Sequence, residues 1–276
     1  MPLWQVAVLG VIQGLTEFLP ISSTAHLYLL PWLLRWQDPG LAFDIALHAG
    51  TLAAVLIYFF RDWVQVLAQG FGLRLGGDPG IRRNRNLLWL MAMASLPVGL
   101  FGYLLQHRAE TAWRNPWVIG ITMVTVGLVL GFADWQGRKQ KDLGHVSFFD
   151  AASIGLAQAL AIIPGVSRSG ITISAGLLCN LDRTTAARLS FLLSAPAIAA
   201  AVAKDCWDLV RHEGGLPPEL RVAFIVGILV SAVTGCLVIG FFMEFLERRS
   251  LAVFVWYRIL FGIMVIALAL FRGSGG

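Results

Sequence analysis

Two apolar stretches, each broken in the middle, constrain this chain more than any other feature. The first covers residues 4–30 and is interrupted at Pro20-Ile21-Ser22-Ser23; the second covers 150–180 and is interrupted at Pro164-Gly165. Proline lacks a backbone N–H and clashes with the preceding turn, so neither stretch can run as one regular helix. In lipid every backbone polar group needs a partner, so a break at membrane depth must be buried in protein or face a water-filled cavity. Each stretch is therefore expected to form two half-helices joined by a polar turn, a re-entrant hairpin. The breaks also share a pattern. Gly10-Val11-Ile12-Gln13-Gly14-Leu15 is echoed by Gly155-Leu156-Ala157-Gln158-Ala159-Leu160, and Ile21-Ser22-Ser23-Thr24 by Val166-Ser167-Arg168-Ser169, at a constant offset of 145 residues.

Six other runs, at about 41–60, 87–106, 117–134, 186–204, 222–245 and 251–271, are long enough to cross roughly 30 Å of hydrocarbon. Only 13% of residues are charged, against about 25% in soluble domains, and the mean hydropathy is +0.73. An all-α integral membrane protein follows, in one membrane domain over 1–276. The expected plan is a re-entrant hairpin plus three transmembrane helices, twice, with a first repeat over 1–145 and a second over 146–276. Three spans per half invert the second repeat relative to the first.

Of the 21 Lys and Arg, twelve fall in loops on the side of residues 61–86 and seven on the other; the last two, Arg168 and Arg258, lie inside apolar segments. The positive-inside rule then puts both termini outside. The first hairpin dips in from outside and the second from inside. Residues 61–86, rich in Gly and Arg, are expected to be a solvated connector, and 273–276 a flexible tail. No basic leader precedes the first apolar run, so a cleaved signal peptide is not expected. Cys179, Cys206 and Cys236 are scattered and odd in number, which argues against a disulfide framework or metal cluster. The basic residues sit in short loops, and no nucleic-acid partner is expected.

A charge at membrane depth costs at least ~2.5 kcal/mol, so each needs a partner, water or a function. Glu17 and His26 lie in the first broken segment, with Gln13 one turn before Glu17. Arg168 follows the second break, where Ser167 or Ser169 is placed to cap a new half-helix, as Ser22 or Ser23 is in the first. Two half-helix N-termini facing each other would present free N–H groups suited to phosphate. Arg168 adds a planar fork for the same group, and Ser22, Ser23, Thr24, Ser167, Ser169 and Thr172 add hydroxyls. Asp44 and His48, four residues apart, are supporting candidates that can pair with each other. Arg258 is expected to be structural, paired with Glu244 or snorkelling. Trp4 and Phe18 are candidates to touch a lipid tail.

Gln13-x-x-x-Glu17 followed by Phe18-Leu19-Pro20-Ile21-Ser22-Ser23-Thr24-Ala25-His26 resembles the first signature of the undecaprenyl-diphosphate phosphatase (bacitracin-resistance protein) family. Pro164-Gly165-Val166-Ser167-Arg168-Ser169-Gly170-Ile171-Thr172 resembles its second. The likeness continues through Phe43-Asp44-Ile45-Ala46-Leu47-His48-Ala49-Gly50-Thr51 and Ser190-Phe191-Leu192-Leu193-Ser194-Ala195-Pro196 and covers nearly the whole chain. Many members carry Glu where this chain has Gln13.

The resemblance implies removal of the terminal phosphate from undecaprenyl diphosphate, recycling the lipid carrier for peptidoglycan synthesis and conferring bacitracin resistance. It implies a divalent cation, Mg²⁺ or Ca²⁺, and a site opening to the outer, periplasmic side of the bacterial cytoplasmic (inner) membrane. Expected partners are the polyprenyl diphosphate lipid and the bilayer; the oligomeric state is left open, a homodimer included. Glu17, Ser23, His26 and Arg168 become the expected catalytic group, with Gln13, Ser22, Thr24, Ser167, Ser169 and Thr172 around the phosphate. The expected mechanism has Arg168 and the N–H groups hold the diphosphate while Ser23 attacks. His26, oriented by Glu17, handles the proton, and the cation sits near Glu17; direct attack by His26 is the variant. The rival class is a lipid-carrier flippase or ion-coupled transporter, which the same inverted repeat would serve.

Overall fold

In the computed structural model the described residues are 2–36, 41–137, 140–212 and 215–273, and among them the chain is helical with no strand beyond an isolated bridge between Lys141 and Leu181. The Gln37–Gly40 turn, Arg138, Lys139 and 274–276, invoked above for the turn, the charge count and the tail, lie outside the described residues, as does the side chain of Arg272.

Helix α1 (Leu3–Phe18) ends where Pro20 forbids its continuation, with Leu19 already extended at φ −66°, ψ 142°. The chain turns and restarts as α2 (Ser23–Leu34). Helix α3 (Leu41–Tyr58) follows and bends by 75° into α4 (Phe60–Gly70). A short α5 (Pro79–Arg83), capped by Asp78 Oδ1 accepting the Ile81 N–H, leads to α6 (Leu87–Glu110) and α7 (Pro116–Gln136). The second broken stretch is α8 (Phe148–Ala159), a 3₁₀ turn at Leu160–Ile162, and α9 (Arg168–Leu178). Then come α10 (Arg183–His212), α11 (Arg221–Arg248) and α12 (Ala252–Gly273). Among the described residues, five helices are long and apolar enough to cross a membrane, six if α3 and α4 count as one bent span. The chain is thus an all-α, multi-pass membrane protein, with both broken stretches split as the prolines require.

The 61–86 connector is more ordered than expected, because α4 occupies its first third. Gln65, Val66 and Ala68 bury one face of α4, while Phe60, Leu67 and Phe71 are exposed on the other. Its arginines are exposed, but its aspartates are tied down: Arg188 at the start of α10 donates to Asp62 at 2.7 Å and to Asp78 at 2.9 Å.

Small residues let the helices around the breaks approach closely. Gly10 and Gly14, one turn apart on α1, face Val230 and Thr234 on α11; a Cβ at Gly14 would lie 2.6 Å from Thr234 Cβ. A Cβ at Gly262 on α12 would lie 2.8 Å from the Gly120 carbonyl on α7. α1 packs on α11 as α8 packs on α6. Phe18 is fully buried, edge-on to Phe191 with ring centroids 5.4 Å apart, so it belongs to the core rather than to a lipid-facing surface. Trp4 is exposed and packs edge-on against Trp36.

Candidate active site

The two breaks adopt the same unusual backbone. Ser22, just before α2, has φ 76° and ψ 100°; Ser167, just before α9 and 145 positions later, has φ 68° and ψ 113°. Non-glycine residues at positive φ cost about 1–3 kcal/mol and persist only where surroundings hold them. Side chains from the opposite break and from α7 do the holding. Ser169 Oγ donates to the Leu19 carbonyl at 3.1 Å, the Gly165 N–H donates to Thr24 Oγ1 at 3.4 Å, and Thr122 Oγ1 donates to the Pro164 carbonyl at 2.7 Å.

Arg258 closes the arrangement from α12. It is fully buried and donates to five carbonyls: Pro20 at 3.2 Å in the first break, Gly165 at 2.9 Å and Val166 at 3.1 Å in the second, and Met123 at 3.2 Å and Thr122 at 3.4 Å on α7. The expected pairing with Glu244 and the snorkelling alternative are both overturned. Glu244 lies 3.9 Å from Arg248 on the exposed end of α11, and carbonyls left over at helix breaks are the acceptors that a buried guanidinium can satisfy. Its place in the sequence, deep in the last apolar run, signalled a buried partner without saying which.

Capping differs between the breaks. Ser167 Oγ accepts the Gly170 N–H at 3.2 Å, as expected of an N-cap. Ser22 occupies the matching position without a side-chain cap; its hydroxyl lies 3.1 Å from Thr24 Oγ1 instead.

The breaks bring Glu17, Ser23 and Arg168 together. Arg168 Nη2 donates to Glu17 Oε1 at 2.9 Å, and Ser23 Oγ donates to Glu17 Oε2 at 2.6 Å. Gln13 Nε2 reaches the same oxygen at 3.3 Å, and Arg168 Nη1 donates to the Ser190 carbonyl at 3.3 Å. The side chains of Glu17 and Arg168 are 7% and 12% exposed, so the pair is nearly dry. A cavity of about 230 Å³ opens beside it, walled by Glu17, Ser22, Ser23, Thr24, Ser167, Arg168 and His48 on its polar side and by Val98, Ala161, Ile162, Ala197, Ile198 and Ala201 on its apolar side. A polar end beside an apolar wall matches an amphiphile with a charged head.

The other expected residues sit around this centre. Ser169 and Thr172 are buried behind it; Thr172 Oγ1 donates to the Arg168 carbonyl at 2.7 Å and lies 2.7 Å from Ser190 Oγ. Asp44 lines a separate cavity with Tyr28, Trp32 and Arg114. The expected Asp44–His48 pair is made through the main chain: His48 Nδ1 donates to the Asp44 carbonyl at 2.8 Å.

His26 departs from expectation. Glu17 does not orient it. Its Nδ1 donates to the Ser22 carbonyl at 2.7 Å, and its Nε2 lies 2.6 Å from the Tyr257 hydroxyl. The ring stacks on Phe261 at 4.7 Å between centroids. Bonding to the carbonyl one turn back turns the imidazole toward α12, and Glu17 accepts instead from Arg168, Ser23 and Gln13. Tyr257 is a contact that sequence spacing gave no sign of.

The residues present do not form a cage for a resident divalent cation. Among the described residues no three His, Cys, Asp or Glu side chains converge. Both Glu17 oxygens already accept hydrogen bonds, and one further buried acceptor nearby, Gln13 Oε1, lacks a partner. Magnesium and calcium sites on proteins require several oxygen ligands.

The chain is similar to known proteins along nearly its whole length. The model of the family described as bacitracin resistance protein BacA matches residues 6–264. The chain is 48% identical over 267 residues to an undecaprenyl-diphosphatase of Moorella thermoacetica, covering 97% of this chain and 98% of that one. It is 45% identical over 275 residues to the undecaprenyl-diphosphatase of Pelotomaculum thermopropionicum, covering 100% of both. With the undecaprenyl-diphosphatase of Thermomicrobium roseum it shares 44% identity over 278 residues, covering 98% and 99%.

Proposed function

This chain belongs to the bacitracin resistance protein BacA family, and from that premise we infer how it works as an undecaprenyl-diphosphate phosphatase. It is a membrane hydrolase that releases phosphate from undecaprenyl diphosphate and yields undecaprenyl phosphate, the carrier lipid of peptidoglycan synthesis. The observation that carries the mechanism is the Ser23–Glu17–Arg168 chain of contacts at 2.6 and 2.9 Å beside a half-polar, half-apolar cavity.

Arg168 is the group that trades partners. A diphosphate entering the cavity offers the guanidinium oxygens that match its fork better than a single carboxylate oxygen does. Glu17 Oε1 is then released, while Oε2 keeps the Ser23 hydroxyl. Ser23 Oγ attacks the terminal phosphorus and its proton passes to Glu17. The bond from phosphorus to the bridging oxygen breaks, and undecaprenyl phosphate leaves. The first N–H groups of α2 and α9, at the two breaks, supply donors where charge gathers on the phosphoryl oxygens. The divalent cation expected for the family is proposed to arrive on the substrate's own diphosphate, since the protein oxygens here do not suffice to hold one. Thr24, Ser22, Ser167 and Gln13 set the shape and polarity of the phosphate end, with Ser169 and Thr172 bracing it from behind.

The finer architecture is part of the same reading. The halves 1–145 and 146–276 are proposed to be repeats of opposite orientation, supported by the matched positive φ at Ser22 and Ser167 and by the parallel packing of α1 on α11 and α8 on α6. Membership of a bacterial wall-recycling family supports placement in the inner membrane with the cavity toward the periplasm. The transport rival gains nothing from a serine hydroxyl donated to a buried carboxylate.

The test is phosphate release by the purified full-length chain in detergent, supplied with a polyprenyl diphosphate and Mg²⁺ or Ca²⁺. Release by the wild type and its loss in Arg168→Ala support the reading; no release by the wild type sinks it.

A further inference from the structure

Resolving a phosphoserine takes a base for water, and Glu17 has taken the serine proton in the step before. Apart from Glu17, the cavity is lined by one side chain able to accept a proton near neutral pH, since the Arg168 guanidinium stays protonated. His48 lines it from α3, and its Nδ1 faces the Asp44 carbonyl at 2.8 Å. A carbonyl can only accept, so Nδ1 must carry the ring proton. In the neutral ring Nε2 is therefore the lone-pair nitrogen, and it has no hydrogen-bond partner among the described residues. The charged groups that share the cavity are Glu17 from α1 and Arg168 from α9; α10 brings Ala197, Ile198 and Ala201, and α11 carries charge only at its ends. His26 is the opposite case, with both ring nitrogens engaged, at Ser22 and at Tyr257.

Resting on the phosphatase reading above, we propose that His48 is the general base of the second half-reaction. Water attacks the phosphorus of phosphorylated Ser23 and gives one proton to His48 Nε2. The bond from phosphorus to Ser23 Oγ breaks, and Glu17 returns to that oxygen the proton it took in the first half-reaction. Inorganic phosphate leaves, and His48 loses its proton to bulk water. Each half-reaction thus has its own base: Glu17 for the serine, His48 for the water.

The experiment is rapid-quench labelling of the full-length protein in detergent, with polyprenyl diphosphate carrying ³²P in its terminal phosphate and Mg²⁺ present. His48→Gln is expected to lower steady-state turnover by about 10²–10⁴-fold. It should still release polyprenyl phosphate in a burst, with label accumulating on Ser23 as located by mass spectrometry. His48→Asn is the second variant, so that one folding failure does not decide the matter. Imidazole added to His48→Ala is expected to discharge the label, a rescue that a packing role for His48 would not give. The proposal is overturned if folded His48 variants turn over within about twofold of wild type. It is also overturned if they lose turnover with no label on Ser23, or if His26→Gln accumulates the label in their place. Absence of phosphate release by the wild type would instead remove the phosphatase reading itself.

Discussion

Glu17 and Arg168, 151 residues apart in the chain, meet at 2.9 Å where the two helix breaks adjoin. Neither charge is tolerable alone at that depth: removing one partner of a buried ion pair typically costs 3–5 kcal/mol because the other is left uncompensated. Together they are close to neutral, and when a diphosphate takes over the arginine the freed Glu17 carboxylate is neutralised by the proton it takes from Ser23. Ser23 is poised on the carboxylate that this exchange frees.

Ser23→Ala removes the attacking oxygen while leaving the Glu17–Arg168 pair intact. Phosphate release is expected to fall by at least about a thousandfold, as for other nucleophile deletions. Stability should change by only about 1 kcal/mol, the worth of one hydrogen bond. Turnover and thermal melting of the same preparation check both parts. Near-normal turnover would rule out the serine and return attention to direct attack by a histidine.

Arg258→Met is expected to act on structure first. The substitution strips the donor from five buried carbonyls, two breaks and α7 among them. Buried acceptors left without donors cost about 1–3 kcal/mol each, so a loss of at least about 3 kcal/mol is expected, partly restored in Arg258→Lys. A melting series in detergent measures it. A variant as stable as wild type would show that the breaks hold without this arginine.

Much of this was legible before any coordinates. Pro20 and Pro164 forced the breaks, and Glu17, Ser23 and Arg168, picked out beside them in sequence, converge at one cavity in the fold. Tertiary direction was not legible. His26 sits three residues from Ser23 and looks like its base, yet the carbonyl of Ser22 turns its ring toward Tyr257. His48 looks like half of an Asp44 pair, but the bond runs to the main chain and leaves the second nitrogen at the cavity. In sequence Arg258 could be matched only to Glu244 or to the membrane surface, because carbonyls freed by distant breaks have no sequence signature. The arginines of 61–86 are exposed, as a solvated connector requires, but the order of that segment was hidden because its aspartates, Asp62 and Asp78, are gathered by Arg188 from another helix.

Away from the breaks, Arg188 bridges Asp62 and Asp78. Burial works against the charge of Asp78, but the Ile81 N–H and the Arg188 guanidinium outweigh it and hold the carboxyl below its ordinary value of 3.8. A depressed carboxylate stabilises the fold above that value and loses its contribution as pH falls through the folded-state pKa. Asp78→Asn should therefore melt below wild type near neutral pH, with the gap closing once the pH is well under 3.8. A gap independent of pH would contradict this.

The claim that one hydrolytic centre is built across both breaks is tested most directly by a double-mutant cycle on phosphate release, with Glu17→Gln, Arg168→Gln and the double variant. Groups acting as a unit are strongly non-additive. Each single change is expected to lower turnover by about 10²–10⁴-fold, and the double variant should be no slower than the worse single one. A double variant slowed by the full product of the two single effects would contradict the account.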